Sequence, residues 1–175
     1  LLVVLCAVVS ILNPRFLSGD NLQNMARLIG MYGIFSIGVG IVIITGGIDL
    51  SIGSMIALLG VLLSFLLVDY GVPGILAIVI VLGVSIGLGL LHGTLISRIG
   101  MQPFIVTLCG LLFYRGMARF IANDETKGFG TGEGFGLLKS LATDSFFGVP
   151  APFILLVVIA AIMWVLLHRS IFGRY

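Results

Sequence analysis

Thr45, Gly46, Gly47, Asp49, Ser51 and Gly53, within ITGGIDLSIGS at 44–54, are the residues whose types and spacing could do chemistry. A carboxylate set among isoleucines and leucines can hold a proton or cation, accept hydrogen bonds from a polar solute, or accept them from the backbone that opens a helix. At mid-bilayer such a charge costs at least ~2.5–3.5 kcal/mol on insertion scales, so Asp49 needs a partner or water. Gly46-Gly47 permits a non-helical bend. After it, Asp49 or Ser51 can accept from the unpaired N–H groups of a helix starting at Ile52–Met55. G-G-x-D-x-S is more constrained than a cap alone requires, so a part in a solute pathway or gate stands beside the capping role.

Other reactive side chains are sparse. Arg115 and Arg119, four residues apart, share one helix face, where they either reach outer headgroups and pair with Asp124 or Glu125, or shape an outer gate or a landing surface for another protein. His92 is isolated in an apolar segment and reads as a packed or interfacial histidine. Cys6 and Cys109 sit in apolar runs and make neither a zinc site nor a disulfide framework, so no metal is expected. No G-x-x-x-x-G-K-[ST] occurs, and the glycines around Gly130 do not form G-x-G-x-x-G, so the chain is expected to hold no nucleotide and no cofactor of its own. Without a nucleophile–base pair an enzyme is not expected, nor is a nucleic-acid partner.

The elements that must position Asp49 follow from composition. With 59% apolar and 9% charged residues and a mean hydropathy of +1.28, the chain has too little polar surface to coat a soluble globule. It is predicted to be an all-α integral membrane protein, a multi-span helical bundle in contact with lipid. Uncharged runs at Leu28–Ile48, Leu50–Val68, Tyr70–Leu91 and Ser145–Leu167 meet the roughly 17–25 residues of a span. Ile99–Tyr114 becomes long enough if its helix continues through Arg115 and Arg119. Leu1–Pro14 is short, starts with Leu and lacks a basic flank and a cleavage site, so it reads as a truncated first span rather than a signal peptide. That makes about six helices, the first incomplete, in one transmembrane domain over residues 1–175.

Punctuation and small residues refine this. Ser18, Asp20 or Asn21 is positioned to cap the second span. Residues 123–150 gather charges with glycines at alternate positions and are expected to form one aqueous, extracytoplasmic loop. Ser85, Gly89, Gly93 and Ser97 recur every four residues, and Gly83 with Gly87 makes a second row, predicting a face for close helix packing. Gly30, Gly33, Ser36, Gly38 and Gly40 do the same for the second span, which can also border a polar cavity because it leads into the Asp49 motif. Lysine and arginine placement puts Arg98, Arg169 and Arg174 inside, with Arg15 and Arg27 outside and running against the rule. Trp164 and Tyr175 read as interface anchors.

Three stretches also resemble one family. ITGGIDLSIGS, QPFIVTLCGLLFYRGMA and HRSIFGRY, at their separations here, are similar to segments of the permease subunits of ribose-type ABC importers, which include ribose, xylose, galactose and autoinducer-2 permeases. The resemblance implies about ten spans in the full protein, of which this would be the N-terminal half, in the inner (plasma) membrane with a cytoplasmic C-terminus. It further implies a second permease subunit as homo- or heterodimer partner, cytoplasmic ATPase subunits that bind the ATP, and an extracytoplasmic solute-binding protein. On that basis the chain would translocate a pentose, hexose or related polyol. The alternative from the residues alone is an ion-coupled secondary transporter or channel that uses Asp49.

Overall fold

The computed structural model describes residues 1–129, 136–146, 148–170 and 173. Gly130, Gly132, Glu133, Gly134, Phe172, Arg174 and Tyr175, which figured in the sequence expectations, lie outside the described residues.

The described chain is a helical bundle. In order it forms α1 (Leu2–Leu12), a 3-10 turn (Pro14–Leu17), α2 (Gly19–Ile44), α3 (Ile52–Ser64) closing in a π-helical turn (Phe65–Asp69), α4 (Gly74–Ser97), α5 (Pro103–Ala122), α6 (Gly136–Thr143), β1 (Ser145–Phe146), β2 (Val149–Pro150) and α7 (Ala151–Arg169). Five of these helices, with α3 counted through its π turn, are long and apolar enough to cross a membrane. Large apolar side chains such as Ile75, Leu90 and Leu112 stand more than half exposed, which suits lipid and not water. The chain is an all-α integral membrane protein.

Helix ends explain where these spans begin and stop. Of the three candidates at the start of α2, Ser18 caps: its hydroxyl oxygen accepts from the Asn21 N–H at 3.4 Å, and its carbonyl accepts from Leu22 at 3.0 Å. Asp20 lies in the first turn, where the helix dipole favours a negative charge. Pro103 sits in the first turn of α5, where a missing N–H costs nothing. That helix runs on through Arg115 and Arg119 as the sequence predicts. It ends where Asn123 turns left-handed (φ 54°), and the Asp124 N–H reaches back to the Arg119 carbonyl at 2.9 Å.

One boundary differs from expectation. The apolar run from Ser145 opens not as helix but as an antiparallel β1–β2 hairpin pairing Ser145 with Pro150 and Phe146 with Val149. Pro150 biases Val149 toward extended backbone, so the span starts at Ala151. The expected aqueous segment accordingly contains α6 and this hairpin in its described part.

The chain divides into two compact units, Leu1–Gly38 with Lys139–Tyr175, and Val39–Leu138. In the first, α2 meets α7 where Gly30 faces backbone: a Cβ placed on Gly30 would lie 2.5 Å from the Phe153 nitrogen and 2.6 Å from the Pro152 carbonyl oxygen. Lipid is as apolar as leucine, so helices in a bilayer associate through such close contacts rather than through hydrophobic burial. Gly30→Ala is therefore expected to destabilise the purified full-length protein by about 1–3 kcal/mol. Gly38→Ala, where a Cβ meets nothing within 4 Å, should be neutral or slightly stabilising. Thermal unfolding in detergent reads both; equal midpoints for the two variants would refute the contact.

In the second unit, Leu58 of α3 packs on Tyr114 and Ala118 of α5, with Met55, Val61, Leu88 and Ile121 around them. Gly83, Gly87, Gly89 and Gly93 of α4 have open space at Cβ. Among the described residues nothing packs closely on that predicted face.

Candidate functional site around Asp49

The break between α2 and α3 is built by backbone bonds that turn the chain off its helix. The Gly46 and Gly47 N–H groups return to the carbonyls of Ile43 and Val42, both at 2.9 Å, while the Thr45 hydroxyl donates to Val42 at 2.8 Å. Gly46 takes φ +75°, a conformation that costs a residue with a Cβ roughly 1–2 kcal/mol. Residues 47–51 then run without regular structure to the start of α3.

Asp49 does not cap α3 as the sequence suggested. Its Oδ1 accepts from the Ser51 N–H at 2.8 Å and from the Ser51 hydroxyl at 2.7 Å, one residue ahead of the helix. Ser51 is fully buried and holds helical φ and ψ of −81° and −16°, with no side-chain cap bond. A capping side chain needs the extended backbone region, and the Ser51 hydroxyl is already committed to Asp49. The acidic group therefore organises the approach to α3 by locking Ser51, whose carbonyl accepts from Met55 at 2.8 Å and from the Ser54 hydroxyl at 2.7 Å.

Two further helices fix this linker. The buried Thr107 hydroxyl of α5 lies 3.2 Å from the Ile48 carbonyl and 2.8 Å from that of Pro103. His92 of α4 is buried, and its Nε2 is 2.8 Å from the Tyr114 hydroxyl. A Cβ on Gly110 would fall 2.7 Å from His92 Nε2 and 3.2 Å from Ser51 Cβ. Helices α3, α4 and α5 thus converge on one point, and only glycine fits there. The sequence reading treated His92 as packed and isolated; packed it is, yet it is bonded across helices. The available signal was Tyr114, a phenol in an apolar span whose O–H needs a partner.

Above this junction lies a cavity of about 480 Å³. Its lining includes Thr45, Gly46, Gly47 and Asp49 from the break, Ser85, Gly89, His92 and Gly93 from α4, and Thr107 from α5. So Gly89 and Gly93, expected to pack, border open space beside Asp49. Asp49 is half-buried, and its Oδ2 has no hydrogen-bond partner among the described residues. An acceptor facing a cavity with hydroxyls and apolar walls can take a hydrogen bond from a polar solute. Gly53 is exposed and is not among the residues that line the cavity. No cluster of three or more metal-ligating side chains occurs among the described residues.

Arg115 and Arg119 are not part of this cavity. Both are exposed; Arg119 pairs with Asp124 at 2.5 Å with both side chains about two-thirds exposed, where water and salt screen the attraction. At the other end of the chain Trp164 is exposed and stacks on His168 with ring centroids 5.2 Å apart, in keeping with an interfacial position.

Comparison with known proteins adds a family. The model described as branched-chain amino acid transport system / permease component matches residues 21–175. The chain is 38% identical over 174 residues to the ribose import permease protein of Bacillus subtilis, covering 99% of this chain and 53% of that protein. It is 36% identical over 152 residues to the fructose import permease protein of Bifidobacterium longum, covering 87% and 41%. With the autoinducer 2 import system permease protein of an Enterobacter species it shares 32% identity over 179 residues, covering 100% and 54%. The chain spans about half the length of the curated relatives it matches. No solved structure matches it significantly.

Proposed function

We propose a solute-translocating role for this chain, which belongs to the family described as branched-chain amino acid transport system / permease component. It acts as a membrane-spanning subunit of an ATP-binding-cassette importer and carries a sugar or related polyol across the inner membrane. The observation that carries this reading is the cavity at the break between α2 and α3, lined by Asp49 together with small residues of α4. Relatives named for ribose, fructose and autoinducer 2 import support the solute class.

Energy comes from separate cytoplasmic ATPase subunits, since the sequence offers no phosphate-binding loop. A solute-binding protein delivers from outside, and a second permease subunit completes the path. Residues 69–74 and 123–150 face outward and residues 97–102 and 168–175 inward. Thr45, Gly46, Gly47, Asp49, Ser51 and Gly53 form the translocation motif, Arg115 and Arg119 border the outer gate, and the α4 glycines Gly83, Gly87, Gly89 and Gly93 serve helix packing in the complete transporter.

Uptake by the full-length chain reconstituted in liposomes with its ATPase and binding protein tests this. Labelled sugar should accumulate only with ATP and the binding protein present. Accumulation driven by a proton or sodium gradient without ATP would instead establish the ion-coupled carrier that uses Asp49.

A further inference from the structure

Where the 3-10 turn meets α2, a groove of about 880 Å³ opens in the first unit, far along the chain from the Asp49 motif. Its size lies within the ~300–1,000 Å³ of small-molecule sites. We propose that this groove is a separate saccharide-binding site, one that holds a neutral monosaccharide through Asp20, Gln23, Asn24 and the Arg15 guanidinium, with Phe16 in its lining. The inference rests on the importer reading and on the outward placement of the N-terminal end of α2.

The lining separates into groups already used and groups still free. Asn13 accepts from the Arg15 N–H at 3.0 Å, Ser18 donates to the Arg15 carbonyl at 2.8 Å, and Asn21 donates to the Phe16 carbonyl at 2.7 Å. These bonds fix the turn and hold the walls of the groove. Arg27 donates through Nη2 to the Thr143 carbonyl at 2.8 Å, which pins its guanidinium, while its Nε is buried without a partner. The side chains of Asp20, Gln23 and Asn24 are exposed and make no hydrogen bond among the described residues.

The free groups therefore comprise a carboxylate, two carboxamides and the Arg15 guanidinium: acceptors and donors together, with Arg27 held at the wall by Thr143. A sugar hydroxyl both donates and accepts, so adjacent hydroxyls can satisfy carboxylate, amide and guanidinium in one plane. Inorganic phosphate is an anion that Asp20 repels, and with at most two O–H groups near neutral pH it would leave most of the carboxylate and amide acceptors unmatched. Phe16, half-buried in the lining, offers the apolar face on which the C–H side of a pyranose or furanose rests. Such a site on the outward side would hold solute delivered from outside.

Saturation-transfer NMR on the complete permease–ATPase complex in nanodiscs, without binding protein, tests the groove with D-ribose and D-fructose as probes. Asp20→Ala with Asn24→Leu should reduce transfer to the sugar at least about fivefold, and Gln23→Ala alone should reduce it measurably. Gly60→Ala, where a Cβ meets nothing within 4 Å, should leave it unchanged, and inorganic phosphate at equal concentration should not displace the sugar. Unaltered transfer in the groove variants, no transfer in the wild type, or displacement by phosphate would each overturn the site. ATP-driven uptake by the wild-type transporter with its binding protein, measured in parallel, reports on the importer reading separately: uptake without groove binding removes only the groove.

Discussion

Asp49→Leu is expected to lower the amount of assembled complete transporter several-fold, whereas Asp49→Asn should leave it close to the wild-type amount. Both donors of Ser51, its N–H and its hydroxyl, end on one oxygen of Asp49 at 2.8 and 2.7 Å, and Ser51 has no exposure with which to recruit water. Leucine leaves the two donors buried and unpaired at about 1–3 kcal/mol each. At ~1.4 kcal/mol per factor of ten, the lower figure of about 2 kcal/mol for the pair cuts the folded-to-unfolded ratio more than tenfold, and cellular quality control turns a loss of that size into a several-fold fall in abundance. Asparagine retains an oxygen in the Oδ1 position and so retains both bonds. It turns the second oxygen, Oδ2, from acceptor into donor, and that change separates fold from function. Quantified size-exclusion profiles give assembly, and uptake in vesicles gives transport. Normal assembly of the leucine variant would sink the structural account, while asparagine that assembles normally yet abolishes uptake would place the charge itself in the solute path.

The membrane character, the number of long spans and the position of the break at Gly46-Gly47 were all readable from the sequence, because each depends on local quantities: length of an apolar run, absence of charge, a glycine pair. The residues that complete the site were not. Thr107 meets Ile48 across 59 positions, and His92 meets Tyr114 across 22; periodicity along one helix says nothing of which neighbour it faces. Asp49 illustrates the same limit at short range. Its type and spacing allow a helix cap, an Asx turn or both, and only the backbone of Ser51, helical where a cap must be extended, selects the turn. The α4 glycines are ambiguous for a related reason: a small-residue stripe is compatible with a packed helix and with a cavity wall, and Gly89 and Gly93 line the cavity.

Gly110→Ala is expected to be far more damaging than Gly116→Ala on the same helix. A Cβ at Gly116 meets nothing within 4 Å, while one at Gly110 would lie 2.7 Å from two atoms of the His92 ring and 3.2 Å from Ser51 Cβ. His92 cannot withdraw freely, because its ring is buried and bonded to Tyr114; Ser51 cannot withdraw without releasing Asp49. The added methyl must therefore break the His92–Tyr114 bond or push α3 from α5, and overpacking of this kind costs about 1–3 kcal/mol. Gly116→Ala should gain slightly from the better helix propensity of alanine. If the ring is the obstacle, His92→Ala combined with Gly110→Ala should recover part of the loss seen with Gly110→Ala alone, a coupling that independent sites do not show. Thermal unfolding of the complete transporter and sugar uptake, measured on the two single variants at positions 92 and 110, the double variant and Gly116→Ala, decide it. A strictly additive pair, or equal tolerance of alanine at 110 and 116, would mean that the α3–α4–α5 junction beneath Asp49 is not closed in the way its geometry requires.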